Sequence, residues 1–301
     1  MRISATIAPG LRRHLSRHTE IPATARYRRL RGGRSAESYL ATRGRQSWVV
    51  KCVRRDTQHS PLFPVCPQTE ATIMARLAPQ GLALKPMAFF THAQDFCLVY
   101  RHCAAETYGQ PDASLARLLA RVHTAPGGAI SGPAMHSGPQ AQLLDRAIEM
   151  LRAKTVTRPL GSLIADTIAQ YTAPQRTVLL HGDPVPGNVL WRPRGPLLID
   201  WQCAQSGDPC HDLAIATSPA MLTLHGQVPL TMSQKAAFLR GYGAPDIAAR
   251  CLALAPLFHA QMIAHCLWRL EAEDAAYDRP MKAEIAALQG LADEGVKQRS
   301  P

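Results

Sequence analysis

Between residues 178 and 214 the chain reads VLLHGDPVPGNVLWRPRGPLLIDWQCAQSGDPCHDLA, and this stretch constrains the fold more than any other. Apolar, β-rich runs at 178–180, 189–191 and 197–199 are separated by turns rich in Pro and Gly, which is the pattern of short strands and a hairpin beside a loop. Asp183, Asn188 and Asp200 stand at the ends of those three runs. Oxygen-bearing side chains gathered in this way suit a hard divalent cation and the phosphates it carries. Phosphoryl transfer needs this inventory: a carboxylate to orient an acceptor hydroxyl, and Mg²⁺ held through a few carboxylate or amide oxygens. On that chemistry Asp183 is the candidate base, and Asn188 and Asp200 are the candidate metal ligands. Beside Pro184, Pro186 and Gly187, Asp183 and Asn188 taken singly read equally as turn formers. The combination carries the argument.

His181-Gly182-Asp183, Asn188, Ile199-Asp200-Trp201, Gly207-Asp208-Pro209 and Asp212-Leu213-Ala214 follow one another in order. This set resembles the signature of the aminoglycoside phosphotransferase and choline kinase family, small-molecule relatives of the protein kinases. The resemblance implies that Asp183 is the catalytic base and that Asn188 and Asp200 bind Mg²⁺. It also implies structural support from His181, Asp208 and Asp212, with Asp212 opening a helix and bracing the catalytic loop. It is strongest over residues 178–214 and fades toward both ends of the range 27–277.

Upstream, residues 27–31, 38–42 and 48–53 read as strands, with Gly32-Gly33-Arg34-Ser35 as the first turn. Backbone amides in a glycine turn can approach a phosphate closely, so Gly32, Gly33 and Ser35 are candidate nucleotide contacts, although paired glycines also make an ordinary hairpin. Lys51 stands alone in the apolar run Val49-Val50-Lys51-Cys52-Val53, and a buried ammonium is costly without a partner. Glu70 is a candidate partner, because Glu70, Ile73, Met74 and Leu77 have helical spacing. The resemblance implies a Lys51–Glu70 pair directed at the nucleotide phosphates. An exposed strand lysine and a first-turn glutamate favourable to the helix dipole would give the same residues. Two more strands are expected at 85–90 and 95–100, and by resemblance the backbone around Val99 and Arg101 meets the adenine.

The rest of the chain has helical periodicity, beginning where Asp112 can cap a helix carrying Leu115, Leu118, Leu119 and Val122 on one face. Late helices hold the acceptor in the resembled family, and Trp201, Trp268 and Tyr277 are candidates for an aromatic box around a cationic acceptor. Glu271, Glu273, Asp274 and Asp278 are candidate carboxylates for the same purpose, or a solvated helix end.

Composition bounds these readings. A chain of 301 residues with 46% apolar content can bury a substantial core. No run approaches the eighteen or so apolar residues of a membrane span, and the eight cysteines lack zinc spacing, so reduced thiols in a cytoplasm are expected. The net charge of +12 is uneven, with eight arginines against the lone acid Glu20 in residues 1–31. Such starts occur in nucleic-acid-binding tails and in organellar targeting peptides. No nucleic-acid recognition motif follows, and Pro9-Gly10 without an apolar stripe argues against an amphipathic helix.

The expected architecture is α+β and two-lobed, of the protein-kinase-like kind: a small N-terminal β-rich lobe and a larger, mainly helical C-terminal lobe. The expected boundaries are a basic, poorly ordered extension at 1–25, a nucleotide-binding lobe at 26–100, a hinge at 101–106, and a catalytic and acceptor-binding lobe at 107–301. The expected function is ATP- and Mg²⁺-dependent phosphorylation of a hydroxyl on a small, cationic molecule of choline, ethanolamine, thiamine or aminoglycoside type. The alternatives are a catalytically weak nucleotide-binding regulator and a basic nucleic-acid-binding protein.

Overall fold

The computed structural model describes residues 7–30, 36–54, 62–63, 65–105, 109–126, 139–153, 158–171 and 177–299. Five antiparallel strands form the N-terminal sheet: β1 (Arg26–Arg29), β2 (Ala36–Arg43), β3 (Gln46–Val53), β4 (Pro86–His92) and β5 (Asp95–Arg101), in the spatial order β1-β2-β3-β5-β4. Side chains alternate across a strand, and on β3 the alternation divides the lobe. Trp48, Val50 and Cys52 pack on one face of the sheet, whereas Val49 joins the cluster on the other, where Lys51 also points. The turn Ala93-Gln94 between β4 and β5 has positive φ at both residues, the backbone of a tight hairpin with the right-handed twist of its strands.

Helix α1 (Pro9–His18) covers the face of Trp48, so the expectation of an irregular, poorly ordered start is corrected for residues 7–25. Pro9 occupies a first-turn position, where a missing N–H costs no hydrogen bond. Leu11 and Leu15, one turn apart, then bury against Ile21, Trp48, Val50 and Val99. Two leucines suffice because the sheet supplies the rest of the apolar surface. Helix α2 (Pro67–Leu77) covers the opposite face through Ile73, Met74 and Leu77.

The remainder is helical apart from two small ribbons. In chain order it comprises α3 (Ala113–Thr124), α4 (Pro139–Ala153), α5 (Arg158–Ala169), β6 (Val178–Leu180), β7 (Val189–Arg192), β8 (Gly195–Leu198), β9 (Gln205–Gly207), α6 (Cys210–Ala216), α7 (Pro219–Leu224), α8 (Met232–Tyr242), α9 (Pro245–Ala253), α10 (Ala255–Glu271) and α11 (Asp278–Arg299). Asp112 caps α3 as expected, accepting from the backbone N–H groups of Ser114 and Leu115. One core joins the two regions, because Val49, Leu98 and Tyr100 of the sheet pack with Leu119, Leu198, Trp201 and Phe238. A shared core holds the sheet's Lys51 face against the hairpin region. Among the described residues no single helix is long and apolar enough to cross a membrane.

Candidate active site

The loop carrying Asp183 is held by backbone geometry on both sides. Strand β6 pairs with β9, Leu180 opposite Gln205, and β7 pairs with β8, Val189 opposite Leu198. Between them Gly182 takes φ +81°, and a Cβ at that position would lie 2.0 Å from the carbonyl oxygen of Cys203. Only glycine fits there. His181 is buried and works as a brace: its Nε2 donates to the Ile199 carbonyl at 3.0 Å, and its Nδ1 accepts from the Asp183 N–H at 3.3 Å. Burial lowers its pKa, which keeps the ring neutral and suited to this arrangement.

Asn188 donates through Nδ2 to the backbone oxygen of Asp183 and to its Oδ2, both at 2.9 Å. Asp183 is half-buried, and burial, followed by the neighbouring charge of Asp200, pushes its carboxyl up to about 7. A carboxylate with that pKa is well matched to accepting a proton near neutral pH.

Lys51 crosses to this loop. Its Nζ donates to Glu70 at 2.7 and 2.9 Å and to Oδ1 of Asp200 at 2.6 Å. Burial opposes the ammonium, but Asp200 and Glu70 more than offset it and hold it charged well above the usual lysine range. The sheet places Lys51 and the hairpin places Asp200, so this three-residue contact spans 149 positions of sequence. Asp200 itself adopts a left-handed backbone, φ +66°, ψ 61°, an uncommon conformation of the kind that concentrates at functional sites.

The donor set fits Mg²⁺. That ion typically takes one or two protein carboxylates and leaves the rest of its shell to phosphates and water. Lys51 occupies Oδ1 of Asp200, Asn188 gives its amide N–H to Asp183, and the second Asp200 oxygen and the Asn188 carbonyl oxygen are left to meet a cation. Among the described residues no group of three His, Cys, Asp or Glu side chains forms a metal site of its own. A shared protein–phosphate site does not require one.

The structure sorts the other sequence candidates. Gly32, Gly33 and Ser35 lie outside the described residues. Val99 and Arg101 sit on the face of β5 turned away from Lys51: Val99 is in the α1 cluster, while Arg101 binds Glu20 at 2.7 Å and lies over the Trp48 ring. Any nucleotide contact from them must come from backbone. Leu98 and Tyr100 share the face of Lys51.

The expected aromatic box does not form. Trp201 is fully buried against His181, with ring centroids 4.5 Å apart, whereas Trp268 and Tyr277 belong to two other packing clusters. The guanidinium of Arg269 already stands 5.7 Å from the Trp268 ring centroid and 5.2 Å from that of Tyr277, tethered to Asp274 at 2.5 Å. Of the acidic cluster, Glu271 pairs with Arg146, Asp274 with Arg269 and Asp278 with Lys282.

Asp212 braces the loop as the resemblance implied, but sequence reading missed the partners that hold it, His123 and Tyr242. Asp212, fully buried, accepts from the N–H of His181 at 2.7 Å and of Gly182 at 2.9 Å, and meets His123 Nε2 at 3.0 Å. The other His123 nitrogen meets the Tyr242 hydroxyl at 2.9 Å. Residues from α3, α6 and α8 thus hold the loop, and no local pattern joins them. Asp208 accepts from Cys210 N–H and pairs with Arg250. Burial opposes ionisation of Asp212, but the hydrogen bond and charge of His123, with His181, outweigh it and lower the pKa. A carboxyl lowered in the folded state contributes stability above its unfolded pKa and loses it as pH falls through the folded value. Asp212→Asn, which turns an NH₂ toward N–H donors, is expected to cost about 2 kcal/mol in urea unfolding at pH 7. The deficit should shrink in strong acid; a variant as stable as the parent at pH 7 would remove the anchoring role.

Residues 26–253 match the family described as APH, phosphotransferase enzyme family. No curated protein sequence matches the chain. Among solved structures, spectinomycin phosphotransferase APH(9)-Ia, in complex with ADP and spectinomycin, is similar at 14% identity and TM-score 0.67, covering 97% of this chain and 100% of its own. A choline/ethanolamine kinase family protein from Mesorhizobium loti is similar at 16% identity and TM-score 0.64, with 93% of each chain covered. The choline kinase LicA from Streptococcus pneumoniae is similar at 17% identity and TM-score 0.62, covering 93% and 98%. At these identities the solved structures speak to the fold.

Proposed function

Because the chain belongs to the phosphotransferase enzyme family, we propose that it moves the terminal phosphoryl group of ATP to a hydroxyl of a small molecule. The observation that carries this reading is the 2.6 Å contact between Lys51 and Asp200, with Asp183 and Asn188 on the same loop–hairpin unit. Lys51, steadied by Glu70, would exchange its contact with Asp200 for phosphate oxygens when nucleotide binds. Asn188 and Asp200 would hold Mg²⁺, which would neutralise phosphate charge during transfer. Asp183 orients the acceptor hydroxyl and takes its proton, favoured by a carboxyl that burial and Asp200 push up to about 7. His181, Gly182 and Asp212 keep that carboxylate in place. ADP in the similar spectinomycin phosphotransferase supports ATP as the donor. All eight cysteines are free thiols, which suits the cytoplasm as the place of action.

The test is ADP release with choline, ethanolamine, thiamine, homoserine, methylthioribose and aminoglycosides, with Mg²⁺ and again with EDTA. The expected result is release that needs both Mg²⁺ and one acceptor class. Tight nucleotide binding without acceptor-dependent ADP across the panel would instead identify a nucleotide-binding regulator.

A further inference from the structure

On helix α1 the run His14-Leu15-Ser16-Arg17-His18 sets two imidazoles four residues apart, neighbours on one side of the helix. Leu15 turns into the core, and the histidines are left on the flank, His14 half-buried and His18 exposed. Their ring centroids stand 4.6 Å apart. A third imidazole arrives from the sheet. His92 ends β4 two residues after Phe90, on the face that α1 covers, and Phe90 packs against His14 with ring centroids 4.3 Å apart. The His92 ring centroid lies 5.7 Å from that of His14. Gly10, one turn before His14, leaves room for it, because a Cβ there would meet His92 Nε2 at 3.4 Å.

Three imidazoles at one seam oppose one another's protonation. Burial first, then His18 and His92, lower the pKa of His14, so its ring is neutral near neutral pH and presents a lone pair. Neutral imidazoles one turn apart on a helix make a chelating pair for first-row divalent cations. With nitrogen–metal bonds of about 2.1 Å, two rings sharing an ion at right to tetrahedral angles hold their centroids roughly 4.5–5.3 Å apart. His14 and His18 fall within that range, and His92 lies a few tenths of an ångström outside it relative to His14. Among the described residues no three such side chains form a complete metal site, so the helix pair comes first and His92 follows by a small rotation.

We propose that His14 and His18 bind a divalent cation of the Zn²⁺ or Ni²⁺ kind and that His92 swings onto the same ion, so that the metal pins α1 to β4. The ligands choose the metal: imidazole nitrogens suit Zn²⁺, Ni²⁺ and Cu²⁺, whereas Mg²⁺ takes oxygen. The site lies on the face of the sheet turned away from Lys51, so it is separate from the Mg²⁺ that phosphoryl transfer would need. A pin here has a purpose, because α1 is fixed to the sheet chiefly through Leu11 and Leu15, and an ion that binds only the folded chain stabilises it. The competing explanation is that His18, beside Arg17 in the last turn, only complements the negative end of the helix dipole.

The experiment is calorimetric titration of Ni²⁺ into the full chain, with excess Mg²⁺ to compete at Asn188 and Asp200, followed by thermal melting with and without Ni²⁺. Saturable binding is expected, weakened at least about tenfold in His14→Phe and in His18→Gln. His18 is exposed, so its variant keeps the test open if His14→Phe folds poorly. The melting temperature should rise with Ni²⁺ in the parent, stay level in His18→Gln, and rise by much less in His92→Gln. Absence of saturable binding overturns the proposal. Equal affinity in the parent and both helix variants also overturns it, since the ion then sits elsewhere, as on the exposed Cys66 thiol. A full melting shift in His92→Gln overturns the pin to β4.

Discussion

Asp183→Asn is expected to lower kcat by about 10³-fold, a typical size for loss of a general base, while the folded chain becomes more stable at pH 8. The two effects have one cause. The carboxyl is pushed up to about 7 by burial and by Asp200, against 3.8 for the free group. A carboxyl that is raised on folding contributes stability fully below pH 3.8 and loses it as pH rises through 7. Above that, the ionised form burdens the fold. Asp183 is half-buried, so the burden is discounted to about 1–2 kcal/mol, and asparagine, which preserves the shape, relieves it. Melting at pH 8 should show the variant above the parent, and melting at pH 4 should show them equal. In the parent, kcat/KM should rise with pH through about 7, as the free enzyme's base ionises. Full activity in the variant, or the same pH limb without the carboxylate, would remove Asp183 from the reaction.

Lys51→Met is expected to destabilise the fold by about 3–5 kcal/mol, as breaking a buried ion pair from one side does, and to weaken Mg·ADP binding at least about tenfold. The lysine sits between Glu70 and Asp200, with Glu70 only 1% exposed. Methionine fills the space but leaves Glu70 desolvated and unpaired. Adding Glu70→Gln removes that charge, so the double variant should recover a good part of the stability and none of the nucleotide affinity. Urea unfolding and nucleotide titration on the three chains measure the separation. Recovery of affinity in the double variant would show that Lys51 only serves the fold.

Much of this site was legible in the linear chain because its chemistry is local. Asp183, Asn188 and Asp200 fall within eighteen positions, and their spacing is imposed by two short ribbons and a turn that Pro and Gly announce. Lys51 revealed itself through cost: an ammonium among valines implies a carboxylate, and Glu70 on the next amphipathic helix supplies it. The N-terminal helix misled for the complementary reason. Its two leucines look too few until the sheet face beneath them is known, and burial against that face stabilises the helix.

Residue pattern and the family resemblance it carries therefore pointed to the reaction class, to candidates for the base and the metal ligands, and to a partner for Lys51, since each follows from neighbours along the chain or from the energetic demand of one buried charge. Packing between distant segments settled everything that depends on who meets whom: His123 with Asp212 and Tyr242, and Arg269 in the aromatic corner. Hydrogen bonds and ion pairs act over a few ångströms of space, whatever the separation in sequence, so these contacts exist only once the helices have closed around the loop.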